Sequence, residues 1–157
     1  MLENKKKYLL SLLFLSVLFA TSAANLYAPD SKLSSGKWYK ISVKETGVCK
    51  ISYEELVSYG IANPANVRVF GYGGNQLPEV FTEKFFDDLP EVAVYRSLGE
   101  DNKFGPGDFI LFYALGPVSW SPVFSSFSFY HTYNTYSFKG NYFLSSDVKG
   151  DAKKIVV

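Results

Sequence analysis

The chain has 157 residues, with 16 Lys or Arg against 15 Asp or Glu, so it carries no cationic excess of the kind a nucleic-acid-binding surface needs. A single cysteine excludes an internal disulfide, and one cysteine with one histidine is too few for a zinc cluster. Aromatic residues make up 18% of the chain, which suits a sheet-rich fold or a surface that binds sugars or protein.

The first stretch reads as a signal peptide over residues 1–24. Lys5, Lys6 and Lys7 form a positive leader, and the apolar run from Tyr8 to Ala20 is too short for a typical membrane-spanning helix. Ser22 and Ala24 supply the small residues a signal peptidase reads, placing cleavage between Ala24 and Asn25. No cysteine sits there to direct lipoprotein processing. Residues 25–157 are then an exported domain, long enough for one core and held by packing alone.

"KWYKISVKETGVCKIS" predicts a β-hairpin with Glu45-Thr46-Gly47 as its loop. That register sets Val43 opposite Cys49, Ile41 opposite Ile51 and Tyr39 opposite Tyr53 on one face. Lys40, Ser42, Lys44, Lys50 and Ser52 fall on the other. Cys49 becomes a small apolar filler on the buried face, a reading that outweighs a nucleophile.

Ser52-Tyr53-Glu54-Glu55 matches a capping box and opens a short helix through Tyr53, Leu56 and Val57; Gly60 ends it and lets Ile61 fold back on Leu56 or Val57. "VRVFGYGGN" follows as a strand entering a glycine turn. It is not a dinucleotide loop, since Gln76 stands where the third glycine belongs and Leu77-Pro78 opens no helix. "EKFFDDLPE" reads as a solvated loop rather than a pair of catalytic carboxylates.

Val92–Leu98 and Asp108–Ala114 are the next strands, the second apolar on both faces and therefore central. The loop between them holds Glu100, Asp101 and Asn102, with Asp108 just after. These are oxygen donors of the kind calcium uses, but not at EF-hand spacing; a solvated hairpin connection is the first reading and a cation site the second. Beyond Trp120 the chain is dense in Ser, Phe and Tyr. "YSFKGNYFL" predicts another hairpin, turning at Gly140-Asn141 and setting Phe138 opposite Phe143. The sum is a mostly β, β-sandwich-like domain with one short helix, preceded by a signal peptide. "KKIVV" stops inside an apolar β-like run, as expected of a truncated chain.

No motif carries chemistry. Nothing places His131 beside Cys49, and an activated thiol needs a base within hydrogen-bond reach. Gly-x-Ser-x-Gly and His-Glu-x-x-His are both absent. No catalytic, cofactor-binding or metal-binding residue is assigned, and no cofactor is expected. Trp38 and Trp120 are candidates for stacking on sugar rings, with core or edge packing the more ordinary role for both.

Four strings in order, "GKWYKISVKETGVCKISYEEL", "NPANVRVFGYGGNQLPE", "GEDNKFGPGDFILFYALGPVSW" and "YNTYSFKGNYFL", resemble the N-terminal region of type IX secretion system sortases in the gingipain-type cysteine peptidase family of Bacteroidota. The resemblance covers about residues 36 to 152. It implies that the nucleophilic cysteine and its histidine lie in a later α/β domain that nothing here matches, and that the position of Cys49 usually carries an aromatic residue. It also implies an activity for the whole enzyme: removal of the C-terminal sorting domain from secreted cargo, with transfer of the new carboxyl end to anionic lipopolysaccharide through a thioester. Implied partners are outer-membrane attachment-complex proteins, cargo with C-terminal sorting domains and anionic lipopolysaccharide, at the cell surface, with no nucleic acid. A freestanding secreted β-sandwich module that binds glycan or protein is the alternative.

Overall fold

A computed structural model describes residues 28–77, 87–123 and 125–156. The expected signal peptide and its cleavage site lie outside these residues, as do residues 83–86 of "EKFFDDLPE". Lys32–Val157 forms one compact unit, and the described residues just before it are exposed coil.

Among the described residues, nine strands alternate with turns: β1 (Tyr39–Val43), β2 (Gly47–Ser52), β3 (Arg68–Gly73), β4 (Glu91–Val92), β5 (Val94–Ser97), β6 (Phe109–Ala114), β7 (Val118–Val123), β8 (Ser128–Tyr133) and β9 (Gly140–Ser145). One α-helix among the described residues, α1 (Tyr53–Ser58), follows β2. All pairings between strands are antiparallel, in a four-stranded sheet of order β1-β9-β3-β4, a three-stranded sheet of order β2-β6-β5 and a two-stranded ribbon β7-β8. Lys154 adds a parallel bridge to Val94 at the free edge of β5. The architecture is β-sandwich-like with one short helix, as the strand spacing predicts.

The predicted β1–β2 hairpin does not form. β1 pairs with β9 and β2 with β6, so the chain crosses between sheets at Glu45-Thr46. Alternation is nevertheless correct: Tyr39, Ile41, Val43, Cys49 and Ile51 all turn inward, and they meet across the sandwich instead of along one sheet. Period-2 patterning fixes which face is apolar, and both arrangements satisfy it. The other half of each pair decides the matter. β6 and β9 offer strands apolar enough to be covered on the inner face, with Ile110, Phe112, Ala114, Tyr142 and Leu144 all buried.

β6 occupies the centre of its sheet, as its apolar run predicts. The core is closed at one end by Leu56 of α1, Ile61 and Val67. α1 carries the full capping box, with Ser52 Oγ accepting from Glu55 N–H at 3.1 Å and Glu55 accepting from Ser52 N–H at 2.8 Å. Gly60 ends it at φ +81°, and Ile61 N–H reaches back to the Leu56 carbonyl.

The glycine string at the end of β3 is structural. Gly73 sits at φ +68°, and a Cβ there would lie 2.5 Å from Tyr142 Oη and 2.6 Å from the Leu115 carbonyl oxygen. Glycine lets β3 press against β9 beside an irregularity in their register. The second predicted hairpin also fails. Gly140 is the first residue of β9 and pairs with Val43, Phe143 lies between Lys40 and Phe70, and Phe138 is exposed. β9 is drawn into the middle of the larger sheet because Tyr142 and Leu144 belong to the core, which a local Gly-Asn turn cannot outweigh.

Candidate functional site

The Cys49–His131 pair does not exist as a site. Cys49 packs inward on β2, and burial pushes its thiol above the ordinary value. His131 lies on the β7–β8 ribbon between Trp120 and Tyr133, with ring centroids at 4.9 and 5.3 Å. Among the described residues no group of three or more His, Cys, Asp or Glu is placed to hold a metal. In the 99–108 loop, an Asp101 carboxylate oxygen accepts from Lys103 N–H at 3.0 Å and one of Asp108 from Gly105 N–H at 2.8 Å, contacts that order the hairpin connection β5–β6.

The outer face of the larger sheet is occupied by its own side chains. Trp38 is half-buried, sets its ring edge on Phe70 at 5.4 Å and donates its indole N–H to the Ser35 carbonyl at 2.7 Å. Arg68 grips Glu91 with two hydrogen bonds of 2.8 and 2.6 Å, and both side chains are only 10% exposed. Burial alone would raise the Glu91 carboxyl. The Arg68 hydrogen bonds, the Lys153 backbone N–H and the two cationic charges outweigh it and hold Glu91 below its usual range. Arg68 also donates to the Lys149 carbonyl at 2.9 Å, tying down the segment after β9.

Beside this pair, a cleft of about 540 Å³ opens between Asn66, Arg96 and the 146–154 segment. Arg96 hydrogen-bonds the Val67 carbonyl, and desolvation lowers its guanidinium against the opposing pull of Glu91. The Arg96 Nε is buried without a hydrogen-bond partner. On the outer face of the smaller sheet, Val48, Tyr95, Leu111, Tyr113 and Ile155 line a shallow apolar depression.

The β7–β8 ribbon differs from all of these. Its register puts Val118 opposite Tyr133, Trp120 opposite His131 and Pro122 opposite Phe129 on one face. The other face pairs Ser119 with Thr132, Ser121 with Tyr130 and Val123 with Ser128. The first face is aromatic and open: Trp120 is 66% exposed, Phe129 67% and Tyr133 62%. At the tip, Phe127 adopts a left-handed conformation at φ 49° and is fully exposed. The root is firmly held. Asn134 N–H donates to the Pro117 carbonyl and its side-chain amide to the Gly74 carbonyl, both at 2.8 Å, while Gly116 N–H donates to Thr46 Oγ1. Core or edge packing was the more ordinary role expected of Trp120; it lies outside the core, on a two-stranded ribbon that no further strand covers, with its ring edge on His131. The signal for this ribbon is present in the sequence: alternation in "VSWSPV" and "SFYHTY", and no Asp, Glu, Lys or Arg from Pro117 to Phe138.

The chain matches no protein-family profile and no curated protein. Among solved structures it is similar to dimeric latent PorU from Porphyromonas gingivalis, at 39% identity over 83% of this chain with a TM-score of 0.69. The described residues form a PorU-related domain. The chain spans 11% of the length of that PorU chain.

Proposed function

We propose that the chain is the non-catalytic N-terminal domain of a type IX secretion system sortase of the PorU kind, exported by a signal peptide and working at the outer membrane. The whole enzyme would cleave the C-terminal sorting domain from cargo and attach cargo to anionic lipopolysaccharide beside attachment-complex proteins. The observation that carries this reading is the 39% identity to PorU over 83% of the chain, on a shared fold. The inward-facing, partly buried Cys49 supports a non-catalytic part, because a thiol with a raised pKa supplies little thiolate to attack a carbonyl.

Deleting the gene that encodes this chain tests the reading. Cargo should accumulate with its sorting domain attached and without lipopolysaccharide, and an allele carrying Cys49→Ala should restore both steps. Normal cargo processing in the deletion strain would overturn the sortase reading, and loss of processing in a correctly folded and located Cys49→Ala product would overturn the non-catalytic one. A freestanding binding module is the second reading, favoured by the exposed aromatic ribbon. A reading frame that continues past Val157 into a domain with Cys and His supports the sortase; a stop codon there, with a stable secreted product, supports the module.

A further inference from the structure

We propose that the cleft beside the Arg68–Glu91 pair is a binding site for a small, singly charged hydroxy acid, whose carboxylate would sit against the guanidinium of Arg96. The inference needs only this cleft and stands apart from the sortase reading.

The two arginines of the cleft are in different situations. Arg68 commits its fork to Glu91 and engages both carboxylate oxygens. Arg96 has the Val67 carbonyl as its acceptor, makes no ion pair among the described residues, and keeps its Nε buried without a partner. Glu91 attracts it only from beyond ion-pair distance, while burial works against its charge. A half-buried guanidinium so placed is costly, and an anion beside it would offset that cost.

The rest of the cleft suits the same ligand. Arg68, Arg96, Lys149 and Lys154 line it against Asp147 and Asp151, and Glu91 lies beside it, so four cations face three carboxylates and one positive charge stands in excess. That excess matches a monocarboxylate better than a doubly charged phosphate. Asp147 is already engaged, since it accepts the Lys37 N–H at 2.8 Å. Backbone donors add to the cations. Arg68 Nη1 draws the carbonyls of Val148, Lys149 and Gly150, at 3.4, 2.9 and 3.5 Å, and the trans peptides then turn the N–H groups of Lys149, Gly150 and Asp151 away from Arg68. None of the three has an acceptor among the described residues. Size and lining narrow the class further. A volume of about 540 Å³ is that of a small-molecule site rather than of a bare ion, and Asn66 and Ser146 offer polar partners for hydroxyl groups.

The test is isothermal titration calorimetry on the natural full-length product that contains this chain, with gluconate as the singly charged probe and sorbitol as its neutral counterpart. Gluconate should bind and sorbitol should not. Added sodium chloride should weaken gluconate binding, as screening of a charge contact requires. Arg96→Met should weaken it about 10-fold or more, the loss of one charge-assisted contact. Because Arg96 also holds the Val67 carbonyl, a second route avoids any loss of folding: Lys149 and Lys154 are exposed at the rim, so a variant with both Lys149→Glu and Lys154→Glu should melt with the wild type. Its gluconate affinity should fall about 10-fold through like-charge repulsion. No gluconate binding, equal binding of gluconate and sorbitol, tighter binding of inorganic phosphate than of gluconate, or affinity unchanged in the rim variant or in folded Arg96→Met would overturn the proposal.

Discussion

β8 and β9 are neighbours in sequence, six residues each, and both rich in aromatic side chains, "SFYHTY" against "GNYFLS". Every residue of β8 is exposed, whereas β9 lies between β1 and β3 with Tyr142, Leu144 and Ser145 buried. Aromatic content and alternation do not separate the two strands. Partners do. β9 can reach two strands that offer Val43, Ile41 and Val69 on its inner face, while β8 can reach only β7, a strand of serines around one tryptophan and one proline. Burial is thus a property of the sheet a strand joins, and an aromatic strand left without a sheet becomes a surface for something else.

The sharpest way to break that contrast is to truncate β9. Tyr142 is 2% exposed, packs its ring edge-on against Phe112 at 5.4 Å and accepts the Leu115 N–H at 2.6 Å. Tyr142→Ala opens a cavity and orphans that N–H, so it should cost about 4 kcal/mol or more in urea unfolding. A cost below about 1 kcal/mol would show that the core is not where β9 places it.

Next in size is the Arg68–Glu91 pair on the outer face of the larger sheet. Arg68→Met leaves a nearly buried carboxylate without its cation and should cost about 3 kcal/mol at neutral pH. The sign of the pH dependence follows from the depressed Glu91. Its stabilisation is complete above the unfolded carboxylate value of about 4.3 and is lost as pH falls through the lower folded value. In the variant, burial acts unopposed by Arg68 and raises Glu91, so acid relieves the mutant's penalty. Unfolding free energies of wild type and variant should therefore converge on acidification; a gap independent of pH would refute the electrostatic account.

Much of this was legible in residues and some was not. The capping box at Ser52, the glycine stop at Gly60 and the central place of β6 are local or compositional facts, set by backbone chemistry or by a strand too apolar to sit at an edge. The inward faces of β1 and β2 were legible for the same reason. Their partners were not, because Val43 and Cys49 satisfy period 2 equally well across a hairpin or across a sandwich. The Gly140-Asn141 turn failed through the same ambiguity, since a good turn signal yields to a strand that the core needs. Trp120 was placed by its residue type rather than by its neighbours. The uncharged run that surrounds it was the better guide.

Cys49 offers a smaller effect on the buried side of the comparison. It is partly buried and packed against the core cluster, and Cys49→Ala should cost about 1 kcal/mol; under the proposed sortase function it should leave cargo processing by the full-length product, per folded molecule, unchanged. Chemical denaturation, paired with a cargo assay normalised to surface protein, reads both. A fall in processing by two orders of magnitude with normal folding would mark a nucleophile.

The smallest effect belongs to the ribbon. Phe129 is 67% exposed and pairs only with Pro122 across the ribbon, so its truncation removes no core contact and leaves no cavity. Phe129→Ala should change the free energy of urea unfolding by less than about 0.5 kcal/mol. A large loss would mean that β8 belongs to the folding unit after all, and the contrast with β9 would collapse.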